Sequence, residues 1–228
     1  MKYSIIQFPG SNCDHDSFYI PHIRGHKVEM IWHKETNLKD PDIVFLPGGF
    51  SYGDYLRAGA IAKFSPIIGE VVKFANRGGY VIGVCNGFQV LTETGLLPGA
   101  LMMNKHLKFI CKHQHIRVEN NTTSFTSKAK AGQVLDVPIA HKEGNYYIDE
   151  AGLTQLKDNG QIVFRYCDVA GNLSEKSNPN GSKDNIAGLC NIKGNVLGMM
   201  PHPERAAEDV VLSGDGAVIF ESLEASFQ

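Results

Sequence analysis

The 228-residue sequence has no apolar run approaching the roughly 20 residues of a membrane span. Its N-terminus, MKYSIIQFPGSN, turns at Pro9-Gly10 too soon for a secretory signal and reads as a first strand. Charge of one sign is also missing: 22 basic against 24 acidic residues leave a formal net charge of -2. That balance supplies no electrostatic reason to expect a nucleic acid or an anionic membrane as partner. Five scattered cysteines, an odd number, do not look like a disulfide framework, so the expected setting is the reducing cytoplasm. No GxxxxGK[ST] phosphate loop is present. There is no internal repeat, low-complexity tract or charge block, and residues 1–228 read as one domain.

What is present is strands alternating with helices. Residues 3–8, 28–33, 42–49 and 80–85 are short apolar runs of the kind that form buried strands. Pro21 should kink or shorten the helix expected before residue 28. Pro66 should split the apolar pattern of residues 58–76 into a short helix and a longer one. A helix follows from Asn86, with Gly95 near its end. Residues 108–118 alternate with period two, as an antiparallel strand does. Residues 172–185 are a polar loop, then two hairpin-like strands flank Lys193-Gly194, and residues 214–227 close as an amphipathic helix. The pattern predicts an α/β fold: an open, mostly parallel twisted sheet with helices on both faces and a small antiparallel extension.

Within that frame, GVCNGFQ (residues 83–89) puts a cysteine between two glycines at a strand-to-helix turn. The nucleophile elbow of hydrolases has the same logic, with the reactive side chain at the carboxyl edge of the sheet. The helix N-terminus favours thiolate at Cys85, and the Asn86 amide can face an oxyanion. Read alone, the stretch also allows a core cysteine. MMPHPER supplies His202 and Glu204; two flanking prolines should hold the segment extended, so both side chains point one way. Gly48-Gly49 after a strand frees backbone amides for a ligand, or makes an ordinary turn. Cys111, His113 and His115 share one strand face, but no further ligands are spaced to close a tetrahedron, so a polar sheet edge is expected and no metal.

Taken together, these pieces resemble a class I (triad) glutamine amidotransferase with a flavodoxin-like sheet. The stretches FPGSNCD (8–14), LPGGFSYGDYLRAGAIA (46–62), GVCNGFQVL, PIAHKEG (138–144) and MMPHPERA (199–206) are similar to the glutaminase subunits of phosphoribosylformylglycinamidine synthase, nearly end to end. The resemblance implies Cys85, His202 and Glu204 as catalytic residues and the amides of Gly49 and Asn86 as oxyanion donors. It implies Gly48, Phe50, Gln89 and His141 at the L-glutamine site. It further implies a separate synthetase subunit that receives ammonia, carries ATP and Mg, and works with a small third subunit; no cofactor is expected in this chain. A γ-glutamyl hydrolase or peptidase-like relative and a catalytically silent scaffold are the alternatives. Lys142 stands where the family commonly has glycine, and a left-handed backbone there would be strained. Cys13 is expected to be buried near the carboxyl edge of the sheet.

Overall fold

The computed structural model of the chain describes residues 1–208, 210 and 213–227. In chain order its elements begin with β1 (Lys2–Gln7), α1 (Asp14–Ile23), β2 (Lys27–Trp32), β3 (Ile43–Leu46), α2 (Pro66–Asn76), β4 (Tyr80–Val84) and α3 (Asn86–Glu93). They continue with β5 (Ala100–Met102), β6 (Ile110–Val118), β7 (Val134–His141), β8 (Asn145–Tyr147), α4 (Glu150–Asp158) and β9 (Ile162–Tyr166). The last are β10 (Ile186–Cys190), β11 (Val196–Met199) and α5 (Ala217–Ala225).

Nine strands form one sheet in the order β2-β1-β3-β4-β11-β10-β9-β6-β7, and β5 pairs with β8 apart from it. The pairings from β2 to β11 are parallel; those from β11 to β7 are antiparallel. The expected class holds, with an antiparallel half that runs to four strands, β10, β9, β6 and β7. Every residue of β3 and β11 is buried, as strands covered on both faces must be. Towards the sheet edge, β7 alternates, with Leu135, Val137, Ile139 and His141 inward. Pro138 interrupts no ladder bond that matters, because β7 is an edge strand. Its neighbours in sequence nevertheless obscure the strand, and β5, β7, β8, α4 and β9 were not expected.

The order reverses between β1 and β3, so right-handed crossovers carry α1 and α2 to opposite faces. Loops leaving the carboxyl ends of β1, β3 and β4 therefore meet at the reversal, where open sheets of this kind bind ligands. Pro66 starts α2 as its first residue, after a 3-10 turn at Ala62–Phe64, as the split pattern requires. Pro21 lies inside α1, which stops two residues later at Ile23. The chain's ends are tied by Glu224 of α5, which accepts from Arg24 at 2.6 and 2.8 Å and contacts His26 at 2.9 Å.

The turn from β4 into α3 depends on missing side chains. A Cβ on Gly83 would lie 2.5 Å from Leu91 Cδ1, and one on Gly87 would lie 2.0 Å from the Leu46 carbonyl oxygen. Gly87→Ala must push α3 away from β3, at a cost of about 3 kcal/mol or more. Chemical denaturation of the variant, followed by far-UV circular dichroism, is expected to show that loss as a lower midpoint.

Candidate active site

Cys85 caps α3 with φ 50° and ψ -105°, a region that residues with side chains avoid. The β4–β11 ladder holds this conformation, and the Cys85 N–H donates to the Met199 carbonyl at 2.8 Å. The residue is buried, and its thiol faces the Ala140 carbonyl of β7 at 3.7 Å.

β11 runs parallel to β4 one strand away and delivers His202 to the same edge. The His202 N–H donates to the Pro138 carbonyl at 2.9 Å, so the middle of β7 fixes its backbone. His202 Nδ1 meets Glu204 Oε1 at 2.7 Å, both side chains being buried. The expected extended geometry is not how this happens. Pro203 opens a 3-10 turn over Pro203–Arg205, and the turn swings Glu204 back beneath His202. Prolines fix φ without fixing ψ, so the segment was free to turn. His202 Nε2 is buried without a hydrogen-bond partner. Burial alone would lower the His202 pKa; the Glu204 carboxylate and then the Cys85 sulfur outweigh it and raise the value to about 10.

Gly48 and Gly49 follow β3 into this edge. A Cβ on Gly48 would lie 2.6 Å from His202 Cε1 and 3.4 Å from both Cys13 Sγ and Cys85 Cβ. Gly49 has φ 132° and would press a Cβ against Asn12 N at 2.6 Å. The FPGSNCD loop after β1 holds this glycine turn: Phe50 N–H donates to Gly10 O at 2.8 Å and Tyr52 N–H to Pro9 O at 2.7 Å. Among the described residues, neither the Gly49 nor the Asn86 amide has an acceptor. The Asn86 side chain accepts from Ser51 N at 3.3 Å and donates to Gln89 Oε1 at 2.9 Å. Gln89 in turn donates to the Glu143 carbonyl at 2.5 Å.

Gly49, Phe50, Cys85, Gln89 and His141 line one small cavity of about 10 Å³, together with Asp54, Ala140, Lys142 and Glu143. A neighbouring cavity of about 200 Å³ shares Gly49, Phe50 and Ala140 and adds Cys13, Phe109 and His202. All the site residues expected from the sequence thus converge on one edge. Cys13 is buried there as expected, and burial, with Glu204 next in weight, pushes its pKa up to about 12. Cys111 and His113 lie on the outer face of β6, where His113 meets Asp136 at 3.2 Å. Among the described residues no group of three or more His, Cys, Asp or Glu could hold a metal ion.

Two asparagines that sequence reasoning missed organise the His141 loop. Asn104 is fully buried; its side chain donates to the His141 carbonyl at 3.0 Å and accepts from Gly144 N at 3.0 Å. Its own N–H donates to the Lys142 carbonyl at 2.8 Å. Lys142 is not among the left-handed residues, so the expected strain does not arise. Asn180 comes from the polar loop 172–185. Its Nδ2 donates to the Gly144 carbonyl at 2.7 Å and meets His141 Nε2 at 3.1 Å. An amide nitrogen can only donate, so Nε2 accepts and the His141 proton sits on Nδ1. Burial, then His202, lowers the His141 pKa to about 3, which keeps the ring neutral. Its buried Nδ1 has no protein partner.

Residues 1–216 match the family described as the CobB/CobQ-like glutamine amidotransferase domain. The phosphoribosylformylglycinamidine synthase subunit PurQ of Koribacter versatilis is 55% identical over 224 residues, covering 98% of this chain and 97% of the relative. The PurQ subunit of Aquifex aeolicus is 54% identical, over 98% of this chain and 99% of its own. The structure of PurLQS from Thermotoga maritima superposes with a TM-score of 0.88 at 40% identity, covering 100% of this chain and 99% of that one. The fold, the edge where the glycine turns and HPE segment meet, and these near-complete matches lead to one conclusion: the chain belongs to the CobB/CobQ-like glutamine amidotransferases and, among them, to the PurQ subunits of phosphoribosylformylglycinamidine synthase.

Proposed function

We propose that this chain is the glutaminase subunit of phosphoribosylformylglycinamidine synthase in purine biosynthesis and that it works through Cys85, His202 and Glu204. The observation that carries the reading is the buried 2.7 Å contact between His202 and Glu204 beside a cysteine held in an elbow. Cys85 Sγ attacks the side-chain amide carbon of L-glutamine while His202 Nε2 holds the proton. The amides of Gly49 and Asn86 hold the oxygen that becomes negative. His202 then gives its proton to the departing nitrogen, which leaves as ammonia, and a γ-glutamyl thioester remains. Water adds to the thioester, returns a proton to His202, and frees glutamate and Cys85. Glu204 holds the imidazole in the needed tautomer and stabilises its cation. Gly48 keeps the floor open, Phe50 and Gln89 border the amide, and the neutral Nδ1–H of His141 is a donor for the substrate.

The ammonia goes to a separate synthetase chain, which carries ATP and Mg and converts formylglycinamide ribonucleotide to formylglycinamidine ribonucleotide. It works with a small third subunit; the likeness to the structure named PurLQS from Thermotoga maritima supports a multi-subunit complex. No helix among the described residues is long and apolar enough to cross a membrane. The free cysteines support a cytoplasmic setting.

Cys85→Ala is expected to cut glutamine hydrolysis by the synthetase complex at least about 1,000-fold, measured as glutamate release; activity within twofold of wild type would overturn the mechanism. Glu204→Gln removes the charge that holds the His202 proton. Burial then dominates, the imidazolium is lost at lower pH, and the alkaline limb of kcat moves down by about one pH unit or more. At neutral pH kcat is expected to fall on the order of 100-fold, read from a full pH–rate profile.

A further inference from the structure

The cavity beside Cys85 contains two carboxylates that the mechanism does not use, Asp54 and Glu143. Asp54 stands on the loop after the glycine turn, in a left-handed conformation with φ 54°. Tyr52, Gly53 and Leu56 around it are left-handed as well, so the loop has a defined shape that presents this side chain. Asp54 Oδ1 is buried and has no hydrogen-bond partner. Glu143 lines the same cavity from the loop pinned by Asn104 and Asn180. Its Oε2 accepts from the Ala58 N–H at 3.0 Å. Burial, and after it the Glu143 charge, raise the Asp54 pKa to about 6.

Among the described residues no basic side chain forms an ion pair with Asp54 or Glu143. Arg57, the nearest guanidinium in sequence, is committed to Glu93 at 2.5 Å. Lys142 lines the same cavity but makes no ion pair with either carboxylate among the described contacts. Two half-buried carboxylates lining one small space, one with a buried, orphaned oxygen, are costly unless a cation joins them. The same cavity holds the buried, unpartnered Nδ1–H of His141, a neutral donor unsuited to a cation and suited to a carboxylate or carbonyl. The cavity thus combines carboxylates, a hydrogen-bond donor and the Cys85 residue in its lining. A zwitterionic amino acid with a reactive side chain has the complementary pattern.

Resting on the glutaminase reading, we infer that Asp54 and Glu143 together bind the α-ammonium group of glutamine and so select an amino acid over a simple amide. Their role is recognition: neither touches the amide carbon. The selectivity arises because a substrate without the ammonium leaves two neighbouring half-buried carboxylates uncompensated.

The test uses the complete synthetase complex and two ligands: L-glutamine, and glutaramate, the same chain without the α-amino group. Glutamine hydrolysis gives KM, and glutaramate is measured as a competitor. In the wild type, the glutaramate Ki is expected to exceed the glutamine KM by at least about 10-fold. Asp54→Asn and Glu143→Gln, which keep shape and hydrogen-bonding oxygens, are each expected to raise the glutamine KM about 10-fold or more, with the glutaramate Ki within about twofold of wild type. Equal weakening of both ligands, or an unchanged glutamine KM, would overturn the assignment. Wild-type complex that hydrolyses no glutamine would instead overturn the parent reading.

Discussion

The contact between His202 Nδ1 and Glu204 Oε1 is the interaction on which the site depends, because neither group is tolerable without the other. Glu204 is 3% exposed and His202 1% exposed. At that depth burial alone would strip a lone imidazole of its proton. Paired, they keep charge in the interior and leave His202 Nε2 as the one reactive ring atom. Burying the pair requires β4, β11 and β7 to close over it. That closure in turn requires the glycines where the strands and α3 approach. The strained backbone of Cys85 is held by the same ladder that delivers His202.

Much of this was legible in the sequence where a single residue type has a single local consequence. Pro66 announced the start of α2, Gly83 and Gly87 announced the elbow, and Gly48-Gly49 announced a turn able to expose amides. What could not be read is what lies far apart along the chain. The polar loop 172–185 was recognised as a loop, but nothing local says that Asn180 reaches across to His141, 39 positions away. Asn104 looks like any polar residue in a mixed stretch until three partners surround it. The antiparallel half was underestimated for a related reason. β7 carries Pro138, which argues against a strand unless the strand lies at an edge, and edges are a property of the assembled sheet.

The HPE segment shows how a correct pairing can follow from the wrong geometry. An extended chain would have aligned residues 202 and 204 by period two. A 3-10 turn brings them together by folding the backbone back. Proline at 203 is compatible with either route, since it constrains only one of the two soft dihedrals. The choice is made by the surroundings: the Pro138 carbonyl takes the His202 amide, and the Ala206 N–H closes on the Pro203 carbonyl at 3.1 Å.

The place of β11 in the sheet has a consequence for how the chain matures. This strand sits in the middle of nine, between β4 and β10, yet it is the last to be synthesised. The parallel and antiparallel halves can each gather their own strands earlier, but they remain separate until residues near the C-terminus are inserted between them. Such long-range closure makes folding slow relative to a sheet assembled from neighbours. It also delays reactivity. A nascent chain carries Cys85 from its first hundred residues onward, while the imidazole that would activate it arrives only with the strand that joins the two halves.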